Sequence, residues 1–150
     1  MKNIFAITTA VLAASAANAA KLSQAEAEAR LKPNGITASS SGGCTNRQNK
    51  SCTSYDQINS STVDGVLTLK RASGCSSLII TGGTEIGHAG GTYSHYNGYK
   101  VDLRHQACLD NYIKNTFTKI ADRSDGYPQW RAASGNLYCD EGNHWDITYF

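Results

Sequence analysis

The sequence predicts an α+β fold, because stretches of strand character share the chain with two stretches of helical spacing. Ser77-Leu78-Ile79-Ile80-Thr81 and Trp145-Asp146-Ile147-Thr148-Tyr149-Phe150 are rich in β-branched and aromatic residues, and in the second of these alternation puts Trp145, Ile147 and Tyr149 on one face. Leu22 to Leu31 is rich in Ala and Glu, has Ser23 placed as a cap, and stops before Pro33-Asn34-Gly35. Leu109 to Ile120 carries apolar residues at 109, 112, 113, 117 and 120, a helical spacing.

The remaining elements follow along the chain. Met1-Lys2-Asn3 leads into an apolar run from Ile4 to Ala17, and Ala17-Asn18-Ala19 offers the small residues of a cleavage site, so residues 1–19 read as a secretory signal and residues 20–150 as one domain. The run is shorter than the ~20 residues that cross a bilayer, and no later segment is apolar enough, so no membrane span is expected. Loss of the signal removes Lys2 alone and leaves 13 basic residues (14 − 1) against 12 acidic ones. A nucleic-acid or membrane-surface partner would usually show a stronger basic excess.

Five cysteines follow the signal, and in an oxidising compartment they are expected to pair with one left over. Cys44 with Cys52, and Cys108 with Cys139, are the expected pairs, leaving Cys75. No CxxC pair supports a zinc-thiolate alternative. The segment from Ser39 to Ser61 is dominated by Ser, Gly, Asn and Cys and reads as stapled loop, with a short helical turn at Thr53 to Ile58. Asn49-Lys50-Ser51 and Asn59-Ser60-Ser61 are glycosylation sequons, meaningful only in a eukaryotic host.

Val66-Leu67-Thr68-Leu69 reads as a strand, separated by the turn signal Ala72-Ser73-Gly74 from the strand at 77–81. The glycines at 82–83 and 87–91 lack the Lys-Ser/Thr ending of a nucleotide loop and read as backbone that curls beside a substrate. Asn97-Gly98 predicts a two-residue hairpin in which Tyr93, His95, Lys100 and Asp102 share a face. Asp122 to Gly126 breaks the second helix, and Leu137-Tyr138 resumes strand character.

Chemistry concentrates in two stretches, Ser94 to Asp102 and Glu141 to Asp146. They supply two histidines, His95 and His144, a carboxylate seven residues after the first, and another three residues before the second. This is the inventory of a catalytic zinc site, in which three nitrogen or oxygen side chains hold the metal and a further carboxylate accepts a proton from water. His105 reads as an ordinary surface or core histidine.

His95, Gly98 and Asp102 fall on the H, G and D of the pattern SxHxxGxAxD, with Ser94 one position after its serine, and Glu141 and His144 match ExxH. Ile79-Ile80-Thr81-Gly82-Gly83 is similar to the strand and turn that precede the first motif. On these residues the chain resembles, over residues 66–150, the zinc D-alanyl-D-alanine peptidase family of peptidoglycan carboxypeptidases, vancomycin-resistance dipeptidases and phage endolysins. The resemblance implies a small, mainly antiparallel sheet with a zinc site on one face and helices on the other. It implies one Zn2+ per chain held by His95, Asp102 and His144, with Glu141 as the general base. The resemblance implies hydrolysis of peptidoglycan stem peptides as a carboxypeptidase or endopeptidase; the signal and the cysteines add secretion and a disulfide staple, and a monomer is the default expectation.

The chain departs from the family pattern twice. Lys100 replaces the small residue two before the aspartate, and Thr84-Glu85 stands where many members carry an arginine that stabilises the oxyanion. His88, Lys100 and Arg123 are the candidates to replace it, and Tyr93 is a candidate wall of a peptide groove. Two other classes share the same residues. One is a non-catalytic module that binds cell-wall peptide or another protein; the other is a small secreted ribonuclease, which would need no metal.

Overall fold

The computed structural model describes residues 20–150, so the expected signal at 1–19 lies outside the described residues. Strand β1 (Lys21–Leu22) leads into helix α1 (Gln24–Leu31). Ser23 caps α1 as expected: its side chain accepts the Glu26 N–H while Glu26 reaches back to the Ser23 N–H. The helix docks through buried Ala27 and Leu31 and runs into a short 3-10 turn, Lys32–Asn34. Strands β2 (Ile36–Ala38) and β3 (Ile58–Asn59) flank the stapled loop. Thr53 to Ile58 forms no helical turn; it is irregular chain ending in a tight turn at Asp56 and Gln57, closed by the Ile58 N–H donating to Tyr55 O, with Gln57 at φ +66°.

Helix α2 (Ser60–Ser73) occupies the stretch from which a strand at Val66 to Leu69 was expected. Those four residues look β-rich in isolation, but with Thr62 and Val63 they complete the 62, 63, 66, 67 spacing of a buried helical face. Gly74, at φ +68°, ends the helix in the left-handed conformation that glycine adopts without cost. At Gly65 the helix lies directly on the Tyr149 ring, leaving no room for a side chain.

Strands β4 (Leu78–Gly82) and β5 (Lys100–Arg104) come next, then helix α3 (Ala107–Thr116). The expected helix at 109–120 ends early, because the chain extends at Phe117 and Thr118–Ile120 pairs as β6. Strands β7 (Gln129–Arg131), β8 (Leu137–Asp140) and β9 (His144–Thr148) complete the chain. The main sheet has seven strands in the order β2-β4-β5-β9-β8-β7-β6, antiparallel except for the β2–β4 pair, and β1 pairs with β3 separately. The fold is thus mixed α and β with a mainly antiparallel sheet, as expected.

One face of the sheet carries the core. Leu78, Ile80, Val101, Leu103, Tyr138, Trp145 and Ile147 pack in one cluster with Val63, Val66 and Leu67 of α2 and Leu109 and Ile113 of α3. Strand alternation sends the intervening residues to the other face. There Asp102 on β5 stands directly opposite Asp146 on β9, and Cys139 on β8 stands opposite Asp146 from the other side. Among the described residues no helix is long and apolar enough to cross a membrane.

The disulfides are Cys44–Cys52, as expected, and Cys75–Cys108, which replaces the expected Cys108–Cys139 pair. The reason is the sheet itself: Cys108 opens α3 beside the end of α2, where Cys75 lies, whereas Cys139 points to the opposite face and stays buried and free. Burial raises the Cys139 pKa from 9.0 to about 12, against a smaller opposing effect of Arg123, so the leftover cysteine persists as a sheltered thiol. Thiol titration of unreduced protein is expected to find no reactive thiol in the native state and one per chain after denaturation; three would contradict the second bridge. Replacing Cys75 and Cys108 together by alanine opens a crosslink spanning 33 residues. On chain entropy this should cost about 3–4 kcal/mol in denaturant unfolding.

Candidate metal centre

The side chains of His95 and His144 both approach Asp102, and Glu141 approaches His144, but not by the expected hairpin. No strand forms at Tyr93 to Tyr96; β5 pairs with β4 and β9 instead. Residues 83–99 make a loop, and Asn97 turns its amide back onto the carbonyls of Gly91 and Thr92. Gly98 keeps the positive φ that its position predicts, yet its carbonyl accepts from Asn59 N and Thr62 Oγ1 at the start of α2. His95 therefore arrives from a folded-back loop, while Asp102 projects from a sheet strand.

The stapled N-terminal segment holds that loop down. Arg47 stacks its guanidinium 3.6 Å from the centre of the Tyr96 ring and donates to Tyr96 O, and its own carbonyl accepts from Ile86 N at 2.9 Å. The Cys44–Cys52 bridge closes the loop on which Arg47 sits.

Asp102 is 5 % exposed, and its ion-pair partners are three imidazoles. His95 Nε2 lies 3.2 Å from its Oδ1, His144 Nε2 lies 3.6 Å from its Oδ2, and His88 Nδ1 lies 4.0 Å from the same oxygen. No lysine or arginine approaches it among the described residues. Gly82, beside it on β4, has no side chain to collide with the carboxylate, and any Cβ there would displace it. His95 Nδ1 donates to the Gly83 carbonyl at 2.9 Å, which in the neutral ring leaves Nε2 as a bare lone pair turned toward Asp102 Oδ1 and, at 3.3 Å, Asp146 Oδ1. Both of those oxygens are buried and accept no well-directed hydrogen bond. Three electron-rich atoms facing one another require a cation, either a proton or a metal.

The residues present fit a divalent metal. Ligands at 2.0–2.1 Å in a tetrahedron stand roughly 3.3 Å apart, close to the separations of His95 and His144 from Asp102. Two groups bring their ligand atoms within 4.8 Å of one another: His88, His95 and Asp102, and Asp102, Glu141 and His144. Asp102 is common to both. The expected trio of His95, Asp102 and His144 is not itself one of these groups: His95 and His144 fall in different ones that share Asp102, and Glu141 Oε1 lies 3.1 Å from His144 Nε2.

Arg123 enters from the segment between β6 and β7. It donates to Glu141 Oε2 at 2.8 Å and to Asp146 Oδ2 at 2.7 Å, and Asp125 anchors its other edge. Lys100, also facing this side of β5, donates to Asp146 Oδ2 at 2.9 Å, so it neutralises that carboxylate and does not lie between the motif residues. Burial alone would raise the Asp146 pKa, but His95 and then Lys100 outweigh it and hold the carboxyl well below its usual range. Tyr93 stands at the mouth with its ring edge-on to Tyr99 and Phe150. The resulting cavity of about 430 Å3 is lined by His88, Tyr93, His95, Lys100, Arg123, Glu141 and Asp146 among others.

Two site residues escape the motif analysis. Asp146 follows His144 by two positions in a strand and so shares its face, a signal that alternation alone offers. Glu85 is buried and carries no motif; its carboxylate accepts from Gly83 N, Ser54 N and His88 Nε2. His105, by contrast, lies away from the pocket, bridging Asp110 and Asp140 against Trp145.

No protein-family model matches the chain, and neither the curated proteins nor the solved structures contain a match.

In the metal-free chain the proton takes the cation's place. Burial opposes a charged His95, but its interactions with Asp102 and then Asp146 outweigh this and raise its pKa from 6.5 to about 10. Because the folded value exceeds the unfolded one, this stabilisation is complete below pH ~6.5 and is lost as pH rises through the folded value. With a chelator present, the stability gap between the parent and His95→Gln should shrink between pH 7 and 10 by roughly 1.4 kcal/mol per unit. A gap independent of pH would contradict the assignment.

Proposed function

We propose that the chain is a secreted zinc-dependent peptidase acting on peptidoglycan stem peptides. The observation that carries the proposal is the buried Asp102 carboxylate ringed by imidazoles with no permanent cation beside it, on the residues that resemble the SxHxxGxAxD and ExxH motifs. His95, Asp102 and His144 hold the metal in this reading. Zinc, when bound, supplies an acidified water, with a pKa near 7, and a Lewis acid for the scissile carbonyl.

The chain's own residues supply the rest. Glu141 has one oxygen beside His144 and the other held by Arg123, an arrangement that fixes the carboxylate at the edge of the metal centre. It accepts a proton from the attacking water as the new C–O bond forms at the carbonyl carbon. As the C–N bond breaks, the same proton passes to the leaving amine, and the products are a carboxylic acid, which gives up its proton to solvent, and a free amine. The departure at Thr84-Glu85 removes the family's usual arginine, and Arg123 replaces it from the other side of the pocket: its Nη1 keeps one N–H beyond its bond to Asp146 for an oxyanion. Lys100 Nζ likewise has N–H groups to spare for a substrate carboxylate. The disulfides suit an extracellular site of action.

Release of amino groups from purified peptidoglycan tests the proposal. Activity should vanish on chelation and return with zinc, and Glu141→Gln should lose at least ~100-fold in turnover while retaining metal. Metal-bound protein without hydrolysis would favour a binding module, and hydrolysis of RNA insensitive to chelation would favour a ribonuclease.

A further inference from the structure

Resting on that reading, we infer that His88 is a third histidine ligand of the metal centre, held in its coordinating orientation by the buried carboxylate of Glu85. Neither motif contains His88 or Glu85.

Glu85 is 3 % exposed although it carries a charge. Its Oε1 accepts from Ser54 N and Gly83 N at 2.9 Å, and its Oε2 meets His88 Nε2. Two backbone N–H groups already donate to this carboxylate, which acts as the acceptor of the cluster, so His88 Nε2 is its third donor and carries the hydrogen. In the neutral ring the lone pair is then on Nδ1, the atom that faces Asp102. A carboxylate that fixes the tautomer and aim of an imidazole is a recurrent support of metal-bound histidines.

The position of the ring agrees. His88 stacks on His95 with centroids 3.8 Å apart and planes 17° from parallel, and the two imidazoles with Asp102 form one of the groups whose ligand atoms fall within 4.8 Å. The 4.0 Å from His88 Nδ1 to Asp102 Oδ2 is the longest of the three imidazole separations. Shortening it by a few tenths of an ångström is a small movement for a side chain on a glycine-rich loop. Gly83 links the two rings, since its N–H binds Glu85 while its carbonyl orients His95. The backbone there admits no larger residue, because a Cβ on Gly83 would collide with Ser54 O.

The test is X-ray absorption spectroscopy at the zinc edge on the mature chain loaded with one equivalent of zinc, with the imidazole count as the readout. Three imidazoles are expected, falling to two in His88→Ala, and the variant's zinc affinity should drop by roughly 10–100-fold in competition with a chromophoric chelator. Glu85→Gln, which keeps the shape of the side chain, should weaken zinc less than His88→Ala. A parent shell of two imidazoles overturns this inference and leaves the peptidase reading standing. A parent chain that takes up no zinc overturns both.

Discussion

The arrangement of this protein turns on how a buried carboxylate is kept charged. Asp102 projects from the middle of the sheet, on the face opposite the core, where an unpaired ion would cost several kcal/mol. Its neighbour across the ladder, Asp146, solves the same problem with Lys100 and Arg123. Asp102 has imidazoles alone, and an imidazole neutralises a carboxylate only when it carries a proton or shares a metal with it. The contrast between the two aspartates, set side by side on β5 and β9, is what the proposed cation site at Asp102 rests on.

The remainder of the fold serves that contrast. Register between β5 and β9 sets Asp102, His144 and Asp146 on one surface while Leu103, Trp145 and Ile147 fill the other. The core under the sheet, built from α2 and α3, gives those positions a rigid base, and the imidazole nitrogens stand 3.2–4.0 Å from the Asp102 oxygens. Above the sheet the precision comes from polar contacts: Gly83 ties His95, Glu85 ties His88, and the stapled Arg47 segment ties the loop that carries both. The Cys44–Cys52 bridge thus bears on the site although neither cysteine touches it.

Much of this was legible in the residues, and the failures have particular causes. Periodicity located α1, β4, β8 and β9, and the two motifs named His95, Asp102, Glu141 and His144, which stand in one connected set of contacts. Val66 to Leu69 misled because four β-favouring residues outweigh a helical spacing that becomes visible only when Thr62 and Val63 are included. Asn97-Gly98 signalled a positive φ correctly at Gly98, but the turn it makes closes on α2 and leaves the preceding residues as loop. The Cys75–Cys108 pairing depends on which face of the sheet each cysteine occupies, a tertiary fact that spacing does not encode. Glu85 was invisible as a site residue for the same reason: its role comes from two backbone N–H groups, of Ser54 and Gly83, and one histidine brought together by the fold.

The metal content of the purified mature chain, determined by plasma mass spectrometry without added metal, bears most directly on the claim that Asp102 is the centre of a cation site. One equivalent of zinc per chain, absent from an Asp102→Asn variant of the same fold, is the result expected. A folded parent protein that holds no metal and takes up none on titration would contradict the account at its root, leaving His95 as a buried imidazolium in a structural ion cluster.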